Sequence, residues 1–121
     1  MNSRWPEGTN TLSDTWTPTR TGWTDVGSPT VTARYCMVGK LCFFQVKVVP
    51  GTSIALVAGT SYLSLPITPN PGAIAAMAIM TNLTTLLAIG VCMMDVANAR
   101  CYVPTLGVTA NTVLIAGIYE G

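Results

Sequence analysis

Residues 48–94 contain no Asp, Glu, Lys, Arg or His, although they make up more than a third of the 121-residue chain. A soluble domain of this size normally spreads charged side chains over its surface. A long neutral segment therefore indicates burial in a core, in a membrane or against other subunits. The segment also lacks the carboxylates and imidazoles on which most acid–base catalysis depends. Assembly with other subunits is the first function that this segment suggests.

The charge balance of the whole chain argues against several further classes of function. Six basic and five acidic residues give a formal net charge of +1, and no histidine is present. This composition offers neither a basic surface for a nucleic-acid backbone nor a polybasic patch for anionic lipid. Without histidine, metal sites and catalytic triads lose their most frequent component. We predict a non-enzymatic, single-domain protein with no catalytic residue, metal, cofactor or nucleic-acid partner.

The length and apolar composition of residues 73–94 are also compatible with a transmembrane helix, which is an alternative interpretation of this segment. The run is interrupted by Thr81-Asn82 and Thr84-Thr85, contains Gly90 and lacks flanking Lys or Arg. These features favour two strands and a turn, so no membrane insertion is predicted. The chain begins with a long polar stretch instead of the apolar run of a secretory signal, which predicts synthesis and retention in a cytoplasm.

The four cysteines are Cys36, Cys42, Cys92 and Cys101, and no two form a CxxC pair. A four-residue hairpin loop at 95–98 would place Cys92 directly opposite Cys101, where a cross-strand disulfide is geometrically possible. In a reducing cytosol, small buried thiols are the favoured interpretation.

Residues 1–29 are rich in Thr, Gly, Pro, Ser and Asn and contain all three tryptophans, Trp5, Trp16 and Trp23. The segment has almost no aliphatic residues and cannot form a core alone. We interpret it as an extended N-terminal arm whose tryptophans anchor in pockets of the domain or of a neighbour. Residues 30–121 then form the folded domain.

From Thr30 onward, short β signals alternate with turn residues. Apolar residues alternate with others over 31–37 and 42–48, and Gly39-Lys40 between them predicts a tight hairpin. Further strands are predicted at 54–57, 62–65, 73–80, 84–94, 99–103 and 112–119, with 95–98 and 104–111 as connections. The pattern predicts an all-β fold, an antiparallel β-sandwich of jelly-roll type.

Residues 84–94 are apolar on both faces of the predicted strand. In an antiparallel sandwich one face normally meets water, so the outer face of this strand is predicted to meet another subunit. Leu86, Ile89 and Met93 are the candidate interface residues of the strand. Trp5, Trp16 and Trp23 are the candidate attachment residues of the arm.

The acidic residues leave one enzymatic alternative open. A carbohydrate-active enzyme would need two facing carboxylates, and Asp14, Asp25 and Asp95 are the candidates. None of them is paired at short spacing. The preferred interpretation is that they are turn and cap residues in solvent.

Four short motifs carry a family resemblance. These are Asp14-Thr15-Trp16-Thr17-Pro18-Thr19, Arg34-Tyr35-Cys36-Met37-Val38-Gly39-Lys40-Leu41-Cys42-Phe43, Pro50-Gly51-Thr52-Ser53 and Ser61-Tyr62-Leu63-Ser64-Leu65-Pro66. Together they resemble a small β domain of tailed-bacteriophage virion proteins, with a Trp-x-Pro opening, a Tyr strand, a Gly turn and a second strand. The resemblance covers residues 14–66 and returns in Ala116-Gly117-Ile118-Tyr119.

This resemblance implies a homotrimeric β-sandwich whose subunits share an apolar axis, as in head fibres, tail fibres and capsid decoration proteins. The chain lacks the long shaft, collagen-like repeats and coiled coil of a typical fibre. A capsid decoration protein, of the cement or head-fibre kind, therefore fits better. Its partners would be itself and a major capsid or tail protein, within a virion assembled in the host cytoplasm. The alternative is a tail-fibre or tailspike module that binds a host surface glycan or protein through loops 66–72 and 104–111.

Overall fold

The computed structural model describes residues 14–73 and 76–121, which form twelve strands and one short turn of 3-10 helix, Val96–Asn98. The strands are β1 Asp14–Thr15, β2 Arg20–Thr21, β3 Thr24–Val26, β4 Thr30–Val38, β5 Leu41–Val49, β6 Ser53–Leu56, β7 Tyr62–Ser64, β8 Ala76–Asn82, β9 Leu87–Asp95, β10 Arg100–Tyr102, β11 Leu106–Thr109 and β12 Val113–Glu120. All the described strand pairs are antiparallel. The predicted all-β antiparallel class is confirmed.

The strands form a sandwich-like arrangement of one large and one small sheet. The large sheet has the order β1-β4-β5-β12-β8-β9-β10-β7-β2 and curls into a half-barrel, and the small sheet has the order β11-β6-β3. Ile54 and Leu56 of the small sheet are fully buried in the same cluster as Phe44 and Val46 of β5. The small sheet therefore packs against the concave side of the large one, and the core lies between them.

The β4–β5 hairpin shows how local sequence sets this architecture. Gly39 has φ of 61° at the predicted turn, and Val38 pairs with Leu41 across it. The alternating residues Cys42, Phe44, Val46 and Val48 of β5 are all buried, and their neighbours point outward, as the period of two requires.

Residues 76–94 form two strands and a turn, as predicted for this apolar run, with β8 at Ala76–Asn82 and β9 beginning at Leu87. No helix in the described part of the chain is long and apolar enough to cross a membrane. The predicted connection at 104–111 is partly wrong because it contains β11, which pairs with β6. Pro104 and Gly107 weaken the sequence pattern of this strand, because proline and glycine are infrequent inside strands.

At Gly117, β12 packs closely against the two strands that flank it, β5 and β8. It lies opposite Phe44 of β5 and Ala78 of β8. A Cβ atom added there would be 2.7 Å from the Ala78 Cβ, from the Met77 backbone oxygen and from the Phe44 Cζ. Only glycine leaves room for the Phe44 ring at this crossing.

The prediction that Cys92 lies directly opposite Cys101 is wrong, because β9 and β10 pair in a different register. Asp95 pairs with Arg100, so the hairpin loop comprises 96–99 and Cys101 faces Met94. The loop is shifted by one residue because the Asp95 carboxylate accepts hydrogen bonds from Asn98 and Ala99 adopts a left-handed φ of 54°. All four cysteines lie in the described part of the chain, where they are buried and form no disulfide, as favoured. A hydrogen bond with the Cys92 thiol, and next burial, raises the pKa of Cys101.

Tyr119 joins β12 to the segment that follows β7. Its hydroxyl is fully buried, donates to the Ile67 carbonyl at 2.7 Å and accepts from the Ile67 amide at 3.0 Å. Burial, and next a hydrogen bond with Cys42, raises the pKa of Tyr119 above its ordinary value. The folded state therefore holds the phenol neutral.

We expect Tyr119→Phe to lower the free energy of unfolding by about 1–3 kcal/mol near neutral pH, because both Ile67 groups lose their partner. In the wild type, the stability from the neutral phenol is fully present below about pH 10. It is lost above that pH, at up to about 1.4 kcal/mol per pH unit, because only the unfolded tyrosine ionises there. Urea denaturation between pH 8 and pH 11 measures both effects. Tyr62→Phe is the control, and an equal loss of alkaline slope in that variant would contradict the assignment to Tyr119.

Candidate interaction surface

An apolar surface runs across the outer side of the half-barrel. It is formed by outward side chains of β5, β12, β8 and β9, which the antiparallel register aligns into rows. One row joins Phe43, Ile118 and Met77, and the next joins Ala116, Ile79 and Val91. We call this surface the outer apolar face, and it comprises Phe43, Met77, Ile79, Val91, Met93, Ala116 and Ile118.

Several of these side chains are largely in solvent. Met77 and Val91 are each 66% exposed and Met93 is 70% exposed. Soluble monomers rarely expose contiguous apolar patches larger than a few hundred Å². The outer apolar face is therefore the strongest candidate for an interaction surface in the described chain.

A shallow depression of about 310 Å³ lies within this face. It is lined by three small residues, Ala78, Ala116 and Gly117, and by four larger ones, Phe43, Met77, Ile79 and Ile118. The lining contains no ionisable side chain. Small residues on β12 thus create a recess between the bulky residues of the neighbouring strands.

The neighbouring surface towards β4 is polar. Four polar residues, Thr32, Arg34, Gln45 and Lys47, line a second depression of about 490 Å³ together with two leucines, Leu83 and Leu114. The charged side chains on this side of the outer apolar face are those of Arg34 on β4 and Lys47 on β5. An apolar centre bordered by charged residues is the usual composition of a protein–protein interface.

The turn between β8 and β9 carries a second apolar feature. Leu86 is 83% exposed at this turn and has φ of 61°, which is unusual for a residue other than glycine. Leu87, the next residue, is 65% exposed. We call residues 83–87 the turn tip.

The two described tryptophans are fixed against their own chain. The Trp16 indole donates to the Ser64 carbonyl at 3.4 Å and packs edge-on against Tyr35 and Phe44. The Trp23 indole donates to the Tyr62 carbonyl at 3.1 Å. Trp5 lies outside the described residues.

The segment around Trp23 is also held by charge. The Arg20 guanidinium lies 5.2 Å from the Trp23 ring centroid and pairs with Asp25 at 2.9 Å. More broadly, residues 14–29 pair with both sheets: β1 with β4, β2 with β7 and β3 with β6. The described part of the predicted arm is therefore built into the domain surface.

The predicted interface residues of β9 are not all on one surface. Met93 lies on the outer apolar face, Leu86 lies on the turn tip, and Ile89 is half-buried and packs against the core. Sequence reasoning missed Met77 and Ile79. Alternation over Ala76–Asn82 was the available signal, but the Ala and Met content of that segment made strand and helix hard to distinguish.

An aromatic pair lies beyond Met93 at the end of the outer side. The rings of Tyr62 and Tyr102 are 5.0 Å apart between centroids, and the Arg100 guanidinium lies 4.4 Å from the Tyr62 centroid. A hydrogen bond with Tyr102 raises the pKa of Arg100 further above its ordinary value. The guanidinium thus occupies one ring face on which a sugar would otherwise stack.

The candidate carboxylates lie on different elements of the fold. Asp14 lies on β1, Asp25 pairs with Arg20, and Asp95 caps the turn at Val96–Asn98. Within residues 14–73 and 76–121, no three His, Cys, Asp or Glu side chains form a group that could hold a metal ion.

No protein-family model matches the chain, and no curated protein or solved structure matches it at a significant level. The fold and the outer apolar face are therefore the basis for a functional assignment, together with the motif resemblance of residues 14–66.

Proposed function

We propose that the chain is a non-enzymatic structural protein of a tailed-bacteriophage virion, of the capsid decoration kind, and that it acts as a homotrimer. The proposal rests on the outer apolar face, which is exposed in the single chain and contains no charged side chain. The virion setting is supported by the motif resemblance alone. The trimeric, jelly-roll-like arrangement expected from the sequence is part of this proposal.

On this proposal the function is to add buried area at subunit junctions. A specific interface buries roughly 800 Å² per partner. At about 25 cal/mol per Å² of apolar surface, burial of the outer apolar face stabilises a trimer before ordering costs are subtracted. Many such trimers bound around a capsid would together resist internal pressure.

Immunogold electron microscopy of virions from the phage that encodes the chain tests this function. Gold particles distributed over the head are expected. Label confined to the tail tip would indicate the receptor-binding alternative, and unlabelled virions would contradict both.

The arm can be tested by a deletion that spares the described strands. Removal of residues 1–13 is expected to leave a folded trimer that no longer decorates particles, because the deletion removes Trp5 and keeps Trp16 and Trp23 on the core. A longer deletion, of residues 1–24, would also remove β1 and β2. A loss of capsid binding could then result from unfolding and would not show that the arm attaches the protein. Cosedimentation with capsids measures binding, and circular dichroism reports the fold. Undiminished binding by the shorter chain would contradict attachment through the arm.

A further inference from the structure

The turn tip and the depression in the outer apolar face lie at different positions along β8. Met77 borders the depression near the start of the strand, and the turn tip follows Asn82 at its end. At about 3.3 Å per residue, Ile79, the lining residue nearest to the turn, is still roughly 10 Å from Asn82. Leu86 is 83% exposed, so the turn tip does not fill the depression of its own chain.

The turn tip is held rigidly before any partner binds. The Asn82 side-chain oxygen accepts from the Thr84 and Thr85 amides at 2.9 and 3.0 Å, and its carbonyl accepts from the Leu86 amide at 2.8 Å. Thr112 of the next turn donates to the Thr84 hydroxyl at 3.1 Å. Little conformational entropy remains to be lost on binding, which favours association.

Leu86 combines a costly backbone conformation with an exposed apolar side chain. Its φ of 61° falls in the left-handed region, which glycine or asparagine occupies at lower cost. The chain nevertheless has a leucine there, and 83% of it is exposed. An apolar side chain presented in this way is suited to insertion into a neutral recess.

The depression accepts only an uncharged group without penalty. Its walls and floor are apolar, so a charged side chain placed there would be buried without a partner. Residues 83–87 are Leu and Thr only. The turn tip of a second copy can therefore enter the depression without burying a charge.

We propose that the turn tip of one copy inserts Leu86 into the depression of the next copy. This inference rests on the proposed homotrimer. Because the tip and the depression are different patches, the contact is heterologous, and three such contacts close a ring. The remaining residues of the outer apolar face would surround the inserted tip.

Disulfide trapping tests the contact directly. In the double variant Leu86→Cys with Met77→Cys, oxidation by diamide should join the two introduced thiols of neighbouring copies. The expected main product on a non-reducing gel is a covalent trimer. Each single variant should stay monomeric on the gel, and an equimolar mixture of the two should give a covalent dimer and no trimer. The four natural thiols are buried, which keeps the background low.

Val108→Cys with Met77→Cys is the matched control, since Val108 is also exposed but lies on the small sheet. A covalent dimer of the Leu86→Cys single variant would place tip against tip and overturn the inference. So would a native trimer in which the double variant shows no cross-link and Leu86→Asp weakens association less than tenfold. A monomeric wild type would instead overturn the proposed trimer itself.

Discussion

Val91→Asp is expected to convert the proposed trimer into folded monomers. Val91 lies in the same row of the outer apolar face as Ala116 and Ile79 and is 66% exposed in the single chain, so the substitution has little effect on the core. In a trimer the new carboxylate would be buried without a partner. We expect a loss of about 3 kcal/mol per contact, on the order of 100-fold in affinity. Sedimentation equilibrium measures the change.

Val108→Asp is the matched control for this experiment. It makes the same substitution at a valine that is 78% exposed, but on β11 of the small sheet. This variant should keep the wild-type association constant. Equal dissociation by both variants would show that added charge, and not the outer apolar face, controls assembly.

Gly117→Ala is expected to destabilise the fold strongly. The added Cβ would lie 2.7 Å from the Met77 backbone oxygen and from the core atoms of Phe44 and Ala78. Because backbone cannot move aside as a flexible side chain can, we expect a loss of about 3 kcal/mol or more in the free energy of unfolding. Urea denaturation followed by tryptophan fluorescence gives this value.

Gly107→Ala provides the contrast because a Cβ atom there would meet nothing within 4 Å. Its free energy of unfolding should stay within about 0.5 kcal/mol of the wild type. A Gly117→Ala variant as stable as Gly107→Ala would mean that β12 does not pass so close to β8 and β5.

The fold was predictable wherever local pattern and pairing coincide. The β4–β5 hairpin followed from the alternation in β5 and from Gly39, since both depend on a few adjacent residues. The neutral segment also yielded the two strands β8 and β9 correctly. The register of the β9–β10 hairpin could not be predicted, because the position of Cys101 depends on the hydrogen bonds of Asp95 and on the left-handed conformation of Ala99.

The candidate surface was only partly predictable. The neutral composition of residues 48–94 indicated an exposed apolar face, but the sequence cannot say which strands become neighbours of β12. That pairing brings Phe43, Ile118 and Met77 into one row although they are distant in sequence. Ile89 was misplaced for a related reason, because the register of β8 and β9 shifts between Met80 and Thr81 and changes which residues face outward.

Light scattering coupled to size-exclusion chromatography tests the central claim most directly, because it reports absolute mass without a shape assumption. The proposal predicts a species of three times the 12.7 kDa mass of one chain, stable on dilution. A monomer of 12.7 kDa at all concentrations would contradict it and would show that the outer apolar face does not assemble copies of this chain.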